Sequence, residues 1–162
     1  MIFKKTDILL PKIEDYRKWA VVACDQFTSQ PEYWEDVHKY VNNEISTYNL
    51  ILPEAYLSDD NTSKIADINK TMSNYLQKNI FETYSNSYVY VERTLKNGVI
   101  RKGIVGAIDL EEYDYKPNSK SKIRATEKTV VDRIPPRVKI RENAAIELPH
   151  ILLLCDDKKH QL

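Results

Sequence analysis

The chain has 162 residues, with 24 basic and 24 acidic side chains, so its formal net charge is zero. A neutral chain lacks the overall attraction to polyanions on which nucleic-acid-binding proteins depend, so we do not expect a nucleic acid partner. No apolar run approaches the roughly 20 residues of a membrane helix, so we expect no membrane partner either. The length predicts a single domain, 1–162, with its own hydrophobic core.

The first half of the chain predicts short buried strands and two helices. The apolar run WAVVAC (Trp19–Cys24) is typical of a buried strand. Ser29 and Glu32 have the spacing of a capping box, and an amphipathic helix follows them in PEYWEDVHKYVNNEI. Leu50–Leu52 is a second candidate strand. Lys64–Phe81 carries apolar residues at helical spacing and predicts the longest helix.

A β-hairpin is the strongest local prediction. Ser87–Leu95 and Val99–Leu110 alternate apolar and polar residues, and Asn97-Gly98 lies between them. An Asn-Gly pair between two alternating runs is the best short-range hairpin signal. Strands and helices therefore occur in mixed order with one clear hairpin. This pattern predicts an α+β fold with a mixed or antiparallel sheet and flanking helices.

The last third of the chain predicts two helices and a strand. Ala125–Arg133 has helical spacing, and Pro135-Pro136 is expected to break it. The same two prolines can open a second helix, which is predicted over Arg137–Glu147. The apolar run HILLLC (His150–Cys155) predicts another buried strand.

The amino-acid composition argues against two kinds of site, a glycine-rich phosphate loop and a metal site. Three glycines in the whole chain cannot supply a glycine-rich phosphate loop, and neither G-x-G-x-x-G nor a P-loop motif occurs. Cys24 and Cys155 stand far apart in apolar runs, and no histidine spacing suits zinc, so no metal site is expected. Two thiols with no metal-type spacing indicate a reducing compartment, and we expect a cytoplasmic protein.

A local excess of positive charge marks the region 124–141. Its basic residues are Arg124, Lys128, Arg133, Arg137, Lys139 and Arg141, against the acids Glu127 and Asp132. Arg137 and Arg141 would share a helical face, while Arg124 and Thr126 precede a helix start, where free N–H groups favour anions. Guanidinium groups gathered there, with Arg133 beside them, would suit a phosphate. The alternative is a solvated face whose arginines pair with neighbouring acids, and the sequence leaves both interpretations open.

A second polar cluster follows the first predicted strand. Asp25, Gln26, Thr28, Ser29 and Gln30 form a loop leading into a helix, a common position for ligand contacts. Asp25 and Gln30 are therefore candidate ligand-binding residues. The alternative is that Asp25 only turns the chain and Ser29 only caps the helix.

Several long blocks resemble one protein family. KWAVVACDQFTSQPEYWEDV, YNLILPEAYL, SYVYVERTLKNGVIRKGIVGAIDLEEYDY and IRATEKTVVDRIPPRVKIRENAAIELPHILLL together resemble the domain of unknown function 1015 family. The resemblance covers roughly residues 6–157. It implies a ParB/sulfiredoxin-like fold, a class that includes partition proteins, a sulfinic-acid reductase and kinases of free serine.

The resemblance implies a protein that binds phosphate or a nucleotide, such as a small-molecule serine-kinase-like phosphotransferase. Glu127 is then the expected catalytic base, because phosphoryl transfer to a hydroxyl needs a carboxylate near the nucleophile. The residues identify no cofactor, but a nucleotide or pyrophosphate with magnesium would fit that activity. The alternative is a non-catalytic regulatory or nucleic-acid-binding ParB-like module.

This chain also departs from the family. Family members are longer and carry an Asp-Gly-His-His-Arg or Asp-Gly-Asn-His type motif in a second part, whereas this chain has no Asp-Gly pair. The resemblance therefore implies an N-terminal portion, and we expect no catalytic activity from it alone. Apolar surface that a C-terminal half would cover predicts self-association or association with that half.

Overall fold

A computed structural model describes residues 3–110, 113–114, 116–124, 130–148 and 150–155. Helices and strands alternate irregularly along these residues, so the predicted α+β class is confirmed. The strands are β1 (Phe3–Lys4), β2 (Thr6–Pro11), β3 (Phe81–Ser87), β4 (Val89–Thr94), β5 (Ile100–Val105) and β6 (Ala107–Ile108), and the helices are α1 (Pro31–Val41), α2 (Thr62–Gln77) and α3 (Ile134–Arg141). Short 3₁₀ helices span Thr47–Leu50, Glu54–Tyr56 and Val131–Arg133.

The chain divides into two compact units. The first holds the described residues of Met1–Leu10, Glu82–Thr129 and Leu152–Leu162, and the second those of Pro11–Phe81 and Val130–Ile151. Most strand residues lie in the first unit and all three helices lie in the second. The prediction of a single domain over 1–162 stays a prediction.

The first unit is built from strand pairs. β1 pairs antiparallel with β6, β2 pairs with β3, and β4 pairs antiparallel with β5. The predicted hairpin is confirmed: Val89 lies opposite Val105, Thr94 lies opposite Ile100, and Gly98 adopts φ +81° in the connecting turn. That left-handed conformation favours glycine, which explains the Asn-Gly signal.

A close approach of two strand ends requires glycine at position 106. A Cβ atom there would lie 2.7 Å from the Lys4 carbonyl oxygen and 2.7 Å from a Phe3 ring carbon. The Phe3 ring stacks on Tyr88 at 5.4 Å between centroids, which holds β1 against the start of the hairpin. Close packing, rather than a turn conformation, therefore requires glycine at position 106.

Trp34 is the largest fully buried side chain of the second unit. This side chain is fully buried, and its indole Nε1 donates a hydrogen bond to the Gln26 carbonyl oxygen at 3.2 Å. Tyr33 and Tyr48 contact the ring at 5.4 and 6.3 Å between centroids. The other buried apolar residues of this unit are Val41, Leu50, Leu52, Ile68, Met72, Tyr75, Phe81 and Ile146.

The two long helices form near their predicted positions. The predicted helix at PEYWEDV begins at Pro31, but Gln30 is its N-cap and no side chain caps it. The Ser29–Glu32 capping box therefore does not form. α2 begins at Thr62 and ends at Gln77, before the predicted end at Phe81. Asn79 adopts φ +53° and Phe81 starts β3, so the stop expected at asparagine is confirmed.

Three predicted strands are wrong. Trp19–Cys24 and His150–Cys155 lie in no strand, and Leu50 ends a 3₁₀ helix. Short apolar runs indicate burial or contact but not a hydrogen-bonding partner, and a strand needs that partner. Leu50 and Leu52 are buried without being a strand, whereas the run at 150–155 is exposed. Cys155 is accordingly exposed rather than buried.

The double proline opens a helix as predicted, although this helix begins at Ile134 rather than at Arg137. Pro135 and Pro136 lie in the first turn of α3, where a missing N–H costs nothing because those groups have no helical partner. The helix ends at Arg141, six residues before the predicted end at Glu147. Residues 125–129 of the predicted preceding helix lie outside the described residues, and Val131–Arg133 is a 3₁₀ turn.

Within the part of the chain that the structure describes, no helix is both long and apolar enough to cross a bilayer.

Removing the Trp34 ring should destabilise the second unit strongly. We expect Trp34→Ala to lower the free energy of unfolding by about 3–5 kcal/mol, because a large buried side chain leaves a cavity. Tyr40→Ala, on the same helix but 55% exposed, is the matched control and should cost less than about 1 kcal/mol. Chemical denaturation followed by circular dichroism measures both. Equal losses in the two variants would contradict a core centred on Trp34.

Candidate ligand site

Arg137 anchors helix α3 to two acidic side chains of the second unit. Its Nη2 atom lies 2.7 Å from Glu54 Oε1 and 3.7 Å from Asp25 Oδ2. The Glu54 side chain is only 13% exposed, so this contact is partly shielded from solvent. The hydrogen bond to Glu54, followed by the charges of Glu54 and Asp25, raises the pKa of Arg137 above its usual value. Arg137 is therefore a permanent cation held by acids.

The main chain brings these acids together. The Glu54 N–H donates a hydrogen bond to the Cys24 carbonyl oxygen at 2.8 Å, which joins the short helix Glu54–Tyr56 to the loop at Asp25. Burial raises the pKa of the Cys24 thiol, and the charges of Asp25 and Glu54 raise it further. A thiol with a raised pKa has less thiolate at neutral pH and is therefore a weaker nucleophile.

The other predicted arginines occupy separate surroundings. Arg141 Nη1 lies 3.2 Å from Glu147 Oε1, and both side chains are about half exposed. Arg124 Nε donates to the Ser121 carbonyl oxygen at 2.9 Å, and Arg124 belongs to the first unit. Arg141 thus pairs with a neighbouring acid, as the ion-paired interpretation expects, whereas the acidic partners of Arg137 lie far away in the sequence.

Three of the remaining predicted site residues lie wholly or partly outside the described part of the structure. Thr126 and Glu127 lie outside the described residues, and for Arg133 only the backbone of its 3₁₀ turn is described. Gln30 is exposed, and its main chain caps α1 by accepting from Tyr33 N–H at 3.1 Å. The convergence of Arg124, Thr126, Arg133, Arg137 and Arg141 on one anion stays a prediction.

A cleft of about 220 Å³ lies between the start of α2 and helix α3, and we call it the double-proline cleft. Its walls include Leu57, Thr62 and Ile65 on one side and Pro135, Pro136 and Lys139 on the other. Lys139 is the basic side chain in this lining. Pro136, Lys139 and Ile140 share one helical face, whereas Arg137 and Arg141 share another.

Sequence reasoning counted Lys139 in the basic region but did not propose it as a site residue. The available signal was its spacing, because Lys139 is three residues from Pro136 and two from Arg137. Residues three apart on a helix lie on the same face, and residues two apart do not. Which face meets the concave surface depends on how α3 packs, and the sequence does not specify this.

The start of α2 contributes Asn61, Thr62 and Ile65 to the lining of the double-proline cleft. The first hydrogen bond of the helix runs from the Ile65 N–H to the Asn61 carbonyl oxygen at 3.0 Å. The N–H groups of Ser63 and Lys64 come before it and therefore have no acceptor within the helix. The Thr62 N–H donates to Asp60 Oδ1 at 2.9 Å. Unbonded N–H groups at a helix start carry partial positive charge, which favours an anionic ligand.

Two acidic residues accompany that positive charge. Asp59 lines the cleft. Hydrogen bonds from the Thr62 side chain and backbone lower the pKa of Asp60, and the charge of Lys139 lowers it further. Asp59 and Lys139 both line the cleft, which therefore presents both signs of charge.

A second, more open concavity lies beside α1. It has a volume of about 460 Å³ and is lined by Glu35, His38, Lys39, Tyr48 and Tyr56. The Tyr48 ring centroid lies 5.8 Å from that of His38, and the Tyr48 ring stacks against buried Trp34. One face of the Tyr48 ring is therefore packed against the core. A ring held this way can stack on a planar ligand. We call this concavity the tyrosine bowl.

Among the described residues no group of three or more His, Cys, Asp or Glu side chains is arranged to hold a metal ion.

Breaking the contact between Arg137 and Glu54 should destabilise the second unit. We expect Arg137→Gln to lower the free energy of unfolding by about 1 kcal/mol, less than a fully buried charged hydrogen bond because Arg137 is half exposed. Arg141→Gln on the same helix is the matched control and should cost less than about 0.5 kcal/mol. Urea titrations of both variants measure the difference, and an equal effect would argue against an anchoring role for Arg137.

Comparison with known proteins adds a family but no activity. No curated protein and no solved structure matches this chain. The family described as protein of unknown function (DUF1015) matches residues 8–162, which is nearly the whole chain. This agrees with the resemblance of its sequence blocks, and the chain belongs to the DUF1015 family of proteins of unknown function.

Proposed function

We propose that the chain binds a phosphorylated small molecule, with its phosphate group in the double-proline cleft. In this proposal it is the N-terminal part of a kinase-like phosphotransferase with a ParB/sulfiredoxin-like fold. The observation that carries the proposal is the placement of Lys139 in the same cleft as the first turn of α2. A lysine ammonium and main-chain N–H groups at a helix start are the donors that many phosphate sites use.

The anchoring of α3 supports this role. The contact of Arg137 with Glu54 joins α3 to the short helix Glu54–Tyr56, and Leu57 at the end of that helix lines the cleft. A binding group contributes most when its supporting element is already fixed, because little conformational entropy is then lost on binding. In this view Arg137 positions Lys139, and it does not contact the ligand.

The acidic residues favour a ligand that arrives with a divalent cation. Asp59 in the lining and Asp60 beside Lys139 would repel a bare phosphate. Magnesium bound to the phosphate oxygens would reverse that repulsion, since carboxylates and phosphates are its preferred ligands. A nucleotide with magnesium or a pyrophosphate with magnesium therefore fits the cleft better than phosphate alone.

Phosphoryl transfer is the catalytic part of the proposal. It requires a carboxylate near the accepting hydroxyl, and Glu127 is the candidate that the family resemblance supports. Both cysteines are free thiols, which agrees with a reducing, cytoplasmic compartment. The alternative function, a regulatory or nucleic-acid-binding module, would instead predict a duplex DNA affinity that falls steeply with salt.

Binding of phosphorylated ligands tests the proposal directly. We expect pyrophosphate, phosphoserine or ATP, each with and without magnesium, to raise the melting temperature of the chain for at least one ligand. Lys139→Gln should weaken that binding about tenfold or more in calorimetry, because a charge-assisted contact is lost. Lys70→Gln, an exposed lysine on α2, is the matched control and should bind normally.

Two outcomes would contradict the proposal. In the first, none of these ligands binds under any of the conditions. In the second, a ligand binds and Lys139→Gln binds it as tightly as the Lys70→Gln control.

A further inference from the structure

Four consecutive aliphatic side chains at the end of the described chain lack an apolar environment. Ile151, Leu152 and Leu154 are 82, 87 and 89% exposed, and Leu153 is 47% exposed. These residues, Ile151–Leu154, form what we call the aliphatic segment, and they lie in no helix or strand. Single exposed leucines are common, but a contiguous apolar run of this kind marks a surface that another chain covers.

A matching surface exists on the hairpin of the first unit. In antiparallel pairs, hydrogen-bonded and non-hydrogen-bonded residue pairs alternate. The Leu95 N–H donates to the Val99 carbonyl oxygen at 2.8 Å, so Arg93–Arg101 and Val91–Gly103 are the next hydrogen-bonded pairs. The pairs between them direct their main-chain groups outward.

The outward groups of β5 belong to Ile100, Lys102 and Ile104. Among the described residues β5 pairs with β4 alone, so its outer edge offers these N–H and C=O groups to an added strand. The Ile100 and Ile104 side chains are both exposed at this edge. On the opposite face, a Cβ atom at Gly103 would meet nothing within 4 Å, which leaves room for a neighbouring side chain.

The outer edge of β4 is less suited to an apolar strand. Its outward residues are Tyr90, Glu92 and Thr94. The Tyr90 hydroxyl donates to Glu92 Oε2 at 3.0 Å, so a polar contact occupies the centre of that edge. Both edges carry a charged residue at their centre, but two of the three outward residues of β5 are isoleucines and none of those of β4 is aliphatic, so the β5 edge offers more aliphatic surface.

We propose that the aliphatic segment of one copy adds as a strand to the β5 edge of a second copy, giving a two-fold dimer with both segments exchanged. Each chain carries one segment and one edge, so a reciprocal arrangement satisfies both and closes. The exchange would pair the main-chain groups of both segments with two open strand edges and would shield aliphatic side chains of both chains from water.

Light scattering coupled to size-exclusion chromatography tests the dimer. We expect the wild-type chain to show twice the 19.0 kDa chain mass at high concentration. Leu152→Glu with Leu154→Glu should give a monomer, because glutamates cannot be buried at the interface. Both leucines are exposed in the single chain, so this double variant should fold normally.

Two proline substitutions distinguish which edge of the hairpin forms the interface. Lys102→Pro removes an outward N–H of β5 and keeps the hydrogen bonds within the hairpin, so it should abolish the dimer. Glu92→Pro makes the same change on the β4 edge and should leave the dimer intact. In hydrogen-exchange measurements, the amides of Ile100, Lys102 and Ile104 should exchange more slowly in the dimer than in the monomeric glutamate variant.

The proposal is overturned if the wild-type chain is a monomer at every concentration. It is also overturned if the glutamate variant or Lys102→Pro remains dimeric. Loss of the dimer in Glu92→Pro with retention of the fold would assign the interface to the other edge and would equally refute it.

Discussion

The hydrogen bond between Arg137 and Glu54 is the contact on which the candidate site depends. It joins helix α3 to a 3₁₀ turn 83 residues earlier in the chain, and the double-proline cleft is formed by residues adjoining that contact. A partly buried carboxylate needs a cationic partner, so this arginine is committed to structure. In the proposed function, the charge that meets the ligand is that of Lys139, on a neighbouring face of the same helix.

Scarcity of glycine shapes the rest of the second unit. Asparagine takes the left-handed conformations that glycine usually supplies, with φ +46° at Asn42 after α1 and φ +53° at Asn79 after α2. Side chains also satisfy the irregular main chain: the Trp19 carbonyl oxygen accepts the Thr47 hydroxyl at 2.6 Å and the Thr47 N–H at 3.0 Å. Long irregular segments can therefore pack without becoming strands.

Apolar runs were the weakest guide to structure, and the reason is physical. Leu50–Leu52, Trp19–Cys24 and His150–Cys155 look alike as short apolar sequences, yet the first is largely buried, the second is mostly accessible and the third is exposed. Apolar side chains favour contact with other apolar groups, but a strand also needs a neighbouring strand that hydrogen-bonds to its main chain. The described residues provide no such neighbour for His150–Cys155.

The sequence by itself determined the elements whose signals are local. Asn97-Gly98 specified the hairpin, helical periodicity specified α1 and α2, and the double proline marked a helix boundary. Tertiary structure alone decided which acids meet Arg137 and which cation of α3 faces a cleft. Those choices depend on residues far apart in sequence and on how a helix is rotated against its neighbours, and neither local propensity nor charge counting encodes that rotation.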